Sequence, residues 1–103
     1  MNRIEFLQLL SSKSTNIEVT DIIVNFFDQY MIMFDLLSCV DQIFIVNADK
    51  SSISFQLLYN DPDEVERLVQ HLSTIPIVNI YGSNYRIESS ILNDYTIIIT
   101  ILN

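Results

Sequence analysis

The spacing of the hydrophobic residues changes part-way along the chain, and this change limits the available folds more than any other feature. Up to about residue 38 the apolar residues recur every three or four positions, as in amphipathic helices. From residue 42 onward several segments alternate apolar and polar residues, as strands do. Only one glycine and two prolines interrupt the 103 residues, which favours long elements and tight connections. We therefore predict a single α+β domain over residues 1–103.

Two helices are predicted before this change. The first covers about Met1–Ser12, and the second runs from about Ile17 to Ser38. Thr15 and Glu18 have the spacing of a capping box, which predicts where the second helix begins. The residues on its predicted core face share one side of a helical wheel: Val19, Ile22, Ile23, Phe26, Phe27, Tyr30, Met33, Phe34 and Leu37.

A hairpin and a third helix are predicted next. The hairpin strands are Gln42–Asn47 and Ser52–Tyr59, and the second of them alternates strictly between apolar and polar residues. Asp61 is the predicted N-cap of the helix, since a short carboxylate accepts hydrogen bonds from first-turn amides. Pro62 fits the first helical position, and Pro76 ends the helical pattern.

The last third of the chain is predicted to be extended. A short strand over Ile77–Tyr81 precedes a hairpin formed by Tyr85–Ser90 and Tyr95–Leu102. The final strand is apolar on both faces, which predicts that it is central in the sheet or is covered by helices or a second subunit. The predicted order is two N-terminal helices followed by ββαββ, with Ile77–Tyr81 as a further strand, in a mostly antiparallel sheet packed against helices.

The charge balance restricts the partners. Thirteen acidic and five basic residues give a net charge of −8. Such a chain is repelled by phosphate groups, so we predict no direct nucleic-acid binding and no membrane binding. A protein partner with a basic surface is favoured instead.

One cysteine and the character of the N-terminus indicate a compartment. Cys39 has no second cysteine with which to form an internal disulfide. The apolar run Leu7–Leu10 is too short for a signal peptide, and Glu5 lies where positive charge is expected. These features predict a cytoplasmic protein.

The chain offers little for catalysis or for cofactor binding. His71 is the only histidine, and Gly82 stands alone where a phosphate-binding loop would need several glycines. One cysteine and one histidine cannot complete a four-ligand zinc site. Helix capping accounts for the acidic cluster at Asp61, Asp63, Glu64 and Glu66 without a metal. We predict no catalytic residues, no metal and no cofactor, and a Cys39–His71 pair remains the enzymatic alternative.

Two surface features are the candidate binding residues. The first is a predicted acidic face on the second and third helices, which comprises Glu18, Asp21, Asp28, Asp35, Asp63 and Glu64. Ordinary solvation of a helix surface is the alternative, and Asn25 belongs to the same polar side. The second is an apolar line outside the predicted core face, formed by Val24, Met31, Ile32 and Leu36. The alternative is that the first helix or the sheet covers these four residues.

These features favour binding over chemistry. The leading hypothesis is a stoichiometric inhibitor or immunity-type protein of phage or mobile-element origin, which docks on a basic protein surface. Its carboxylates would either imitate the phosphates of nucleic acid or pair with arginines of the partner. The abundance of isoleucine, asparagine, serine and tyrosine fits an origin in AT-rich DNA. The second hypothesis is a homo-oligomeric structural or chaperone-like assembly protein, with a homodimer as its simplest form. The third is an enzyme that uses Cys39 or His71.

Overall fold

Helices and strands follow one another in the order ααββαβββ in the part of the chain that the structure describes. This computed structural model describes residues 3–13, 17–29, 40–49 and 51–103. The helices are α1 (Arg3–Lys13), α2 (Ile17–Gln29) and α3 (Pro62–Ser73). The strands are β1 (Val40–Ala48), β2 (Ser52–Tyr59), β3 (Ile77–Ile80), β4 (Ser83–Asn93) and β5 (Thr96–Leu102).

The five strands form one antiparallel sheet in the order β1-β2-β5-β4-β3. The α+β class and the antiparallel sheet are therefore confirmed. The finer order is matched in part: three strands follow α3 where ββαββ counts two, and the first of them, β3, is the further strand predicted at Ile77–Tyr81. The predicted end of the second helix, Ser38, and the predicted cap residue Thr15 lie outside the described residues.

The last strand of the chain lies in the middle of the sheet. β5 pairs with β2 on one side, where Ile99 faces Phe55, and with β4 on the other, where Ile101 faces Ile87. Its apolar residues on both faces predicted such a position, and that prediction is confirmed. A central place leaves no edge of this apolar strand open to other chains.

One face of the sheet carries the core. In β2 the side chains of Ile53, Phe55, Leu57 and Tyr59 are buried, while those between them are partly exposed. This is the alternation expected of an antiparallel sheet with helices on one side.

Phe27 joins the N-terminal helices to the sheet. Its ring centroid lies 4.7 Å from that of Phe6 in α1 and 6.1 Å from that of Phe55 in β2. Phe26 packs edge-on against it at 5.4 Å. Aromatic pairs at these separations contribute beyond the area they bury, so the cluster fixes how α1 and α2 sit on the sheet.

The third helix begins where its capping residues predicted. The Asp61 carboxylate accepts a hydrogen bond from the Asp63 amide at 3.0 Å, and Pro62 occupies the first turn. The buried stripe of the helix consists of Val65, Leu68 and Leu72. Within the described residues, no helix is both long enough and apolar enough to span a membrane.

Candidate functional site

The polar side of α2 holds the β3–β4 hairpin. Asn25 Nδ2 donates to the Tyr81 hydroxyl at 2.7 Å, and Gln29 Nε2 donates to the backbone carbonyl of Asn79. Asn25 and Gln29 are four residues apart and therefore lie on the same side of the helix. Part of the helix side that was predicted to face solvent therefore forms hydrogen bonds within the molecule.

The turn of this hairpin has an unusual residue at its tip. Ile80 pairs with Ser83, so Tyr81 and Gly82 form a two-residue turn. Both have positive φ, 51° and 81°, as a type I′ turn requires. Glycine adopts this conformation without strain, but tyrosine rarely does. Nor does burial compensate for the strain, because Tyr81 is 74% exposed.

A cleft opens between the start of α2 and this turn, and we call it the tyrosine cleft. Its lining combines two carboxylates, apolar side chains and the Tyr81 ring: Glu18, Asp21, Ile22, Ile80, Tyr81, Ser83 and Tyr85. Glu18 and Asp21 were both predicted to contact a partner. The structure places them beside an exposed aromatic ring that the sequence analysis did not single out.

A second concave surface lies between the start of α3 and the β4–β5 turn, and we call it the acidic groove. It is lined by Pro62, Asp63, Val65, Glu66, Ile91 and Asp94. Within the described residues, no hydrogen bond or ion pair engages the carboxylates of Asp63, Glu66 and Asp94. The side chains of this groove are therefore available to an external cation.

Three exposed apolar residues lie at this end of β4 and in the β4–β5 connection. Ile91 is 47% exposed, and Leu92 and Tyr95 on either side of Asp94 are 52% and 48% exposed. The acidic groove thus combines free carboxylates with the exposed apolar side chain of Ile91. Apolar patches with a polar rim mark interaction surfaces on soluble proteins.

The acidic residues do not form one face. Asp21 lies near Ser83 at one end of β4, whereas Asp63 lies near Ile91 at the other. The eight residue steps from Ser83 to Ile91 span about 26 Å of extended strand. The predicted single acidic face is therefore wrong, and two separate acidic regions replace it.

Several of the predicted partner-binding residues are located differently. Glu64 forms an ion pair with Arg67 at 2.7 Å, and only 13% of its side chain is exposed, so it is not a free acidic contact. Val24 is buried in the core at 8% exposure, which contradicts its predicted place on an exposed apolar line. Asp28 is half-buried and also has an interaction partner. The other members of the two sets lie outside the described residues: Met31, Ile32, Asp35 and Leu36.

Of the two residues considered for chemistry, the structure describes His71, which lines neither of the two surfaces. His71 lies in the last turn of α3 and is half-buried, and its Nε2 atom has no hydrogen-bond partner among the described residues. Cys39 lies outside the described residues, so a Cys39–His71 pair is untested. Among the residues with described positions, no three histidine, cysteine or acidic side chains are grouped as a metal site.

Three residues that define the two surfaces were missed by sequence reasoning: Tyr81, Ile91 and Asp94. A signal for Tyr81 was present, because two strands separated by a short turn with Gly82 predict positive φ at the residue before the glycine. No comparable signal linked Asp94 to α3, which lies more than 20 positions earlier in the sequence.

Comparison with known proteins adds no assignment. No protein-family model matches the sequence, and neither the curated proteins nor the solved structures give a significant match.

Proposed function

We propose that this chain is a stoichiometric protein-binding module whose acidic groove docks on a basic surface of another protein. One observation carries the proposal: the free carboxylates of Asp63, Glu66 and Asp94 lie around the exposed Ile91. Apolar contacts in the centre of an interface supply binding energy, and a charged rim selects the partner and speeds encounter. A basic surface with an apolar side chain at its centre complements both parts of the groove.

The net charge of −8 supports the same class of partner, because it attracts a basic protein over several ångströms of solvent. Proteins that bind nucleic acid present basic surfaces. If this chain docked on such a surface, it would block nucleic-acid binding by the partner. On this proposal the chain acts as an inhibitor or immunity-type protein in the cytoplasm, and it carries out no chemistry itself.

The test begins with capture of the partner from host lysate by the tagged chain, followed by identification and purification of the captured protein. Its affinity is then measured for the wild type and for the variant D63N/E66Q/D94N, which changes the net charge from −8 to −5. We expect at least about a tenfold loss of affinity, since removing three rim charges costs more than 1.4 kcal/mol. Affinity of the wild type should also fall steeply between low and moderate salt.

The control separates the groove from total charge. The variant E5Q/D41N/E88Q makes the same change in net charge at acids that do not line the acidic groove. On our proposal this variant keeps affinity within about twofold, a difference of less than 0.5 kcal/mol. Equal losses for the two triple variants would reject the groove as the docking site.

A homo-oligomeric assembly protein is the second candidate, and the outer face of the sheet favours it. Leu58 in β2 and Ile98 and Leu102 in β5 are half-buried on this face. Within the described residues, the three helices cover only the opposite face. A second copy of the chain would cover these outward apolar side chains.

A further inference from the structure

The backbone of Tyr81 is strained, and the packing of the Tyr81 side chain does not explain this strain. Asparagine and glycine are the preferred residues at the first central position of a type I′ turn. Tyrosine at φ 51° costs backbone free energy, and its exposed ring recovers little by burial. Such an outlier at an exposed turn is a reason to look for a binding role.

The ring is nevertheless held in place. Its hydroxyl accepts the hydrogen bond from Asn25 Nδ2 at 2.7 Å, and the same amide group donates to the backbone carbonyl of Asp21 at 2.8 Å. The bond to the α2 backbone orients the Asn25 amide, and this amide in turn holds the Tyr81 hydroxyl. The tyrosine cleft thus has a positioned aromatic ring beside a carboxylate before any partner arrives, which lowers the entropy cost of binding.

The chemistry of the cleft matches one side chain. Ile22 and Ile80 offer an apolar lining for an aliphatic stem, the Tyr81 ring offers a flat face, and the Asp21 carboxylate offers two acceptor oxygens. Arginine has an aliphatic stem that packs on apolar surface and a planar guanidinium that stacks on aromatic rings. Its guanidinium also binds carboxylates in pairs of hydrogen bonds, whereas lysine is a point charge that lacks the planar fork.

We propose that the tyrosine cleft binds an arginine side chain of the partner protein, stacked on Tyr81 and paired with Asp21. This inference rests on the proposed function, since it assumes a basic protein partner. It adds a second contact at the opposite end of β4 from the acidic groove. A partner that reaches both must extend about 26 Å along the sheet.

The test uses the full chain and a defined probe. The tripeptide Ac-Gly-Arg-Gly-NH2 is titrated into the isotopically labelled protein while backbone amide shifts are recorded. We expect saturable shifts at Ile80–Ser83 and Asp21–Asn25, with at least about fivefold weaker binding of the lysine tripeptide. The citrulline tripeptide, which has the same shape without the charge, should give no saturable shift.

Three substitutions make the result specific. Tyr81→Asn removes the ring but places a favoured residue in the turn, so its melting temperature should remain within about 4 °C of the wild type. Saturable binding of the arginine probe should be lost in this variant and in Asp21→Asn. Tyr81→Phe keeps the ring but loses the hydrogen bond from Asn25, so it should retain saturable binding with reduced affinity. Unchanged binding in folded Tyr81→Asn, or equal shifts at Asp63 and Glu66, would overturn the proposal.

These experiments distinguish failure of the arginine site from failure of the acidic groove as the docking site. If the arginine probe does not bind while partner affinity still depends on the acidic groove, only the arginine site is rejected. If the probe binds the cleft but the D63N/E66Q/D94N variant keeps full partner affinity, only the acidic groove is rejected.

Discussion

At the scale of single residues, hydrogen bonding by Asp49 shows how a short polar sequence fixes a turn. Its Oδ1 accepts from the Ser51 hydroxyl and amide, both at 2.8 Å, and from the Ser52 amide at 2.9 Å. These bonds favour the charged form, and the Ser51 hydroxyl has the largest effect, so the pKa of the Asp49 carboxyl is lowered from its ordinary value of 3.8. The charged carboxylate thereby stabilises the connection between β1 and β2.

This pKa shift predicts a pH dependence. A lowered pKa in the folded state adds stability above the unfolded value of 3.8, and this stability disappears as pH falls through the folded pKa. We expect Asp49→Ala to be less stable than the wild type at pH 7, with the difference shrinking steadily below pH 3.8. Urea unfolding of both proteins from pH 7 to well below that value measures it. A difference independent of pH would contradict the role of the charge.

At the scale of elements, α3 depends on its first residues. Asp61 has extended backbone angles, φ −131° and ψ 115°, so its side chain turns back to the Asp63 amide. The helix then buries Val65, Leu68 and Leu72 against the sheet, which couples the cap to the core. The same helix start positions Asp63 in the acidic groove.

The cap can be tested by one matched pair of variants. Asp61→Ala removes the acceptor, and we expect it to lower the free energy of unfolding by about 1 kcal/mol. Asp61→Asn keeps an acceptor oxygen and should retain most of the stability. Urea unfolding of both variants provides the measurement, and equal destabilisation by alanine and asparagine would argue against capping.

At the scale of the whole molecule, the edges and faces of the sheet determine how copies of the chain can meet. β1 lies at one edge, and its pairing with β2 shifts register between Val40 and Gln42 and again between Ile45 and Asn47. Irregularities of this kind twist an edge strand away from regular pairing with another chain. Self-association is therefore expected through the outer sheet face rather than by addition of strands to β1.

This expectation gives a measurable prediction for the second candidate function. A homodimer would sediment at twice the 12.0 kDa of the chain, with little sensitivity to salt because apolar contacts dominate. Ile98→Glu, on the outer face of β5, should restore the 12.0 kDa species, whereas Ile17→Glu, at a 79% exposed position at the start of α2, should not. Sedimentation of the wild type at 12.0 kDa at every concentration would reject the homodimer.

The sequence alone determined those features that depend on near neighbours in the chain. Strict alternation in β2 predicted a strand with one buried face, and the Asp61 cap predicted the start of α3. The apolar character of β5 predicted a central strand. The structure confirms all three predictions. These features follow from local periodicity and from hydrogen bonds over two or three residues. Local rules of this kind need no knowledge of the fold.

Only the tertiary structure decided which distant residues share a surface. The order of strands places Asp94 beside α3 and separates Asp21 from Asp63 by most of β4, so a helical wheel could not reveal two acidic regions. Burial of Val24 likewise depends on what packs against α2 from outside the helix. The physical reason is that the packing of whole helices and strands determines which residues far apart in sequence come into contact. Residue spacing within one helix or strand does not indicate how that element packs against the others.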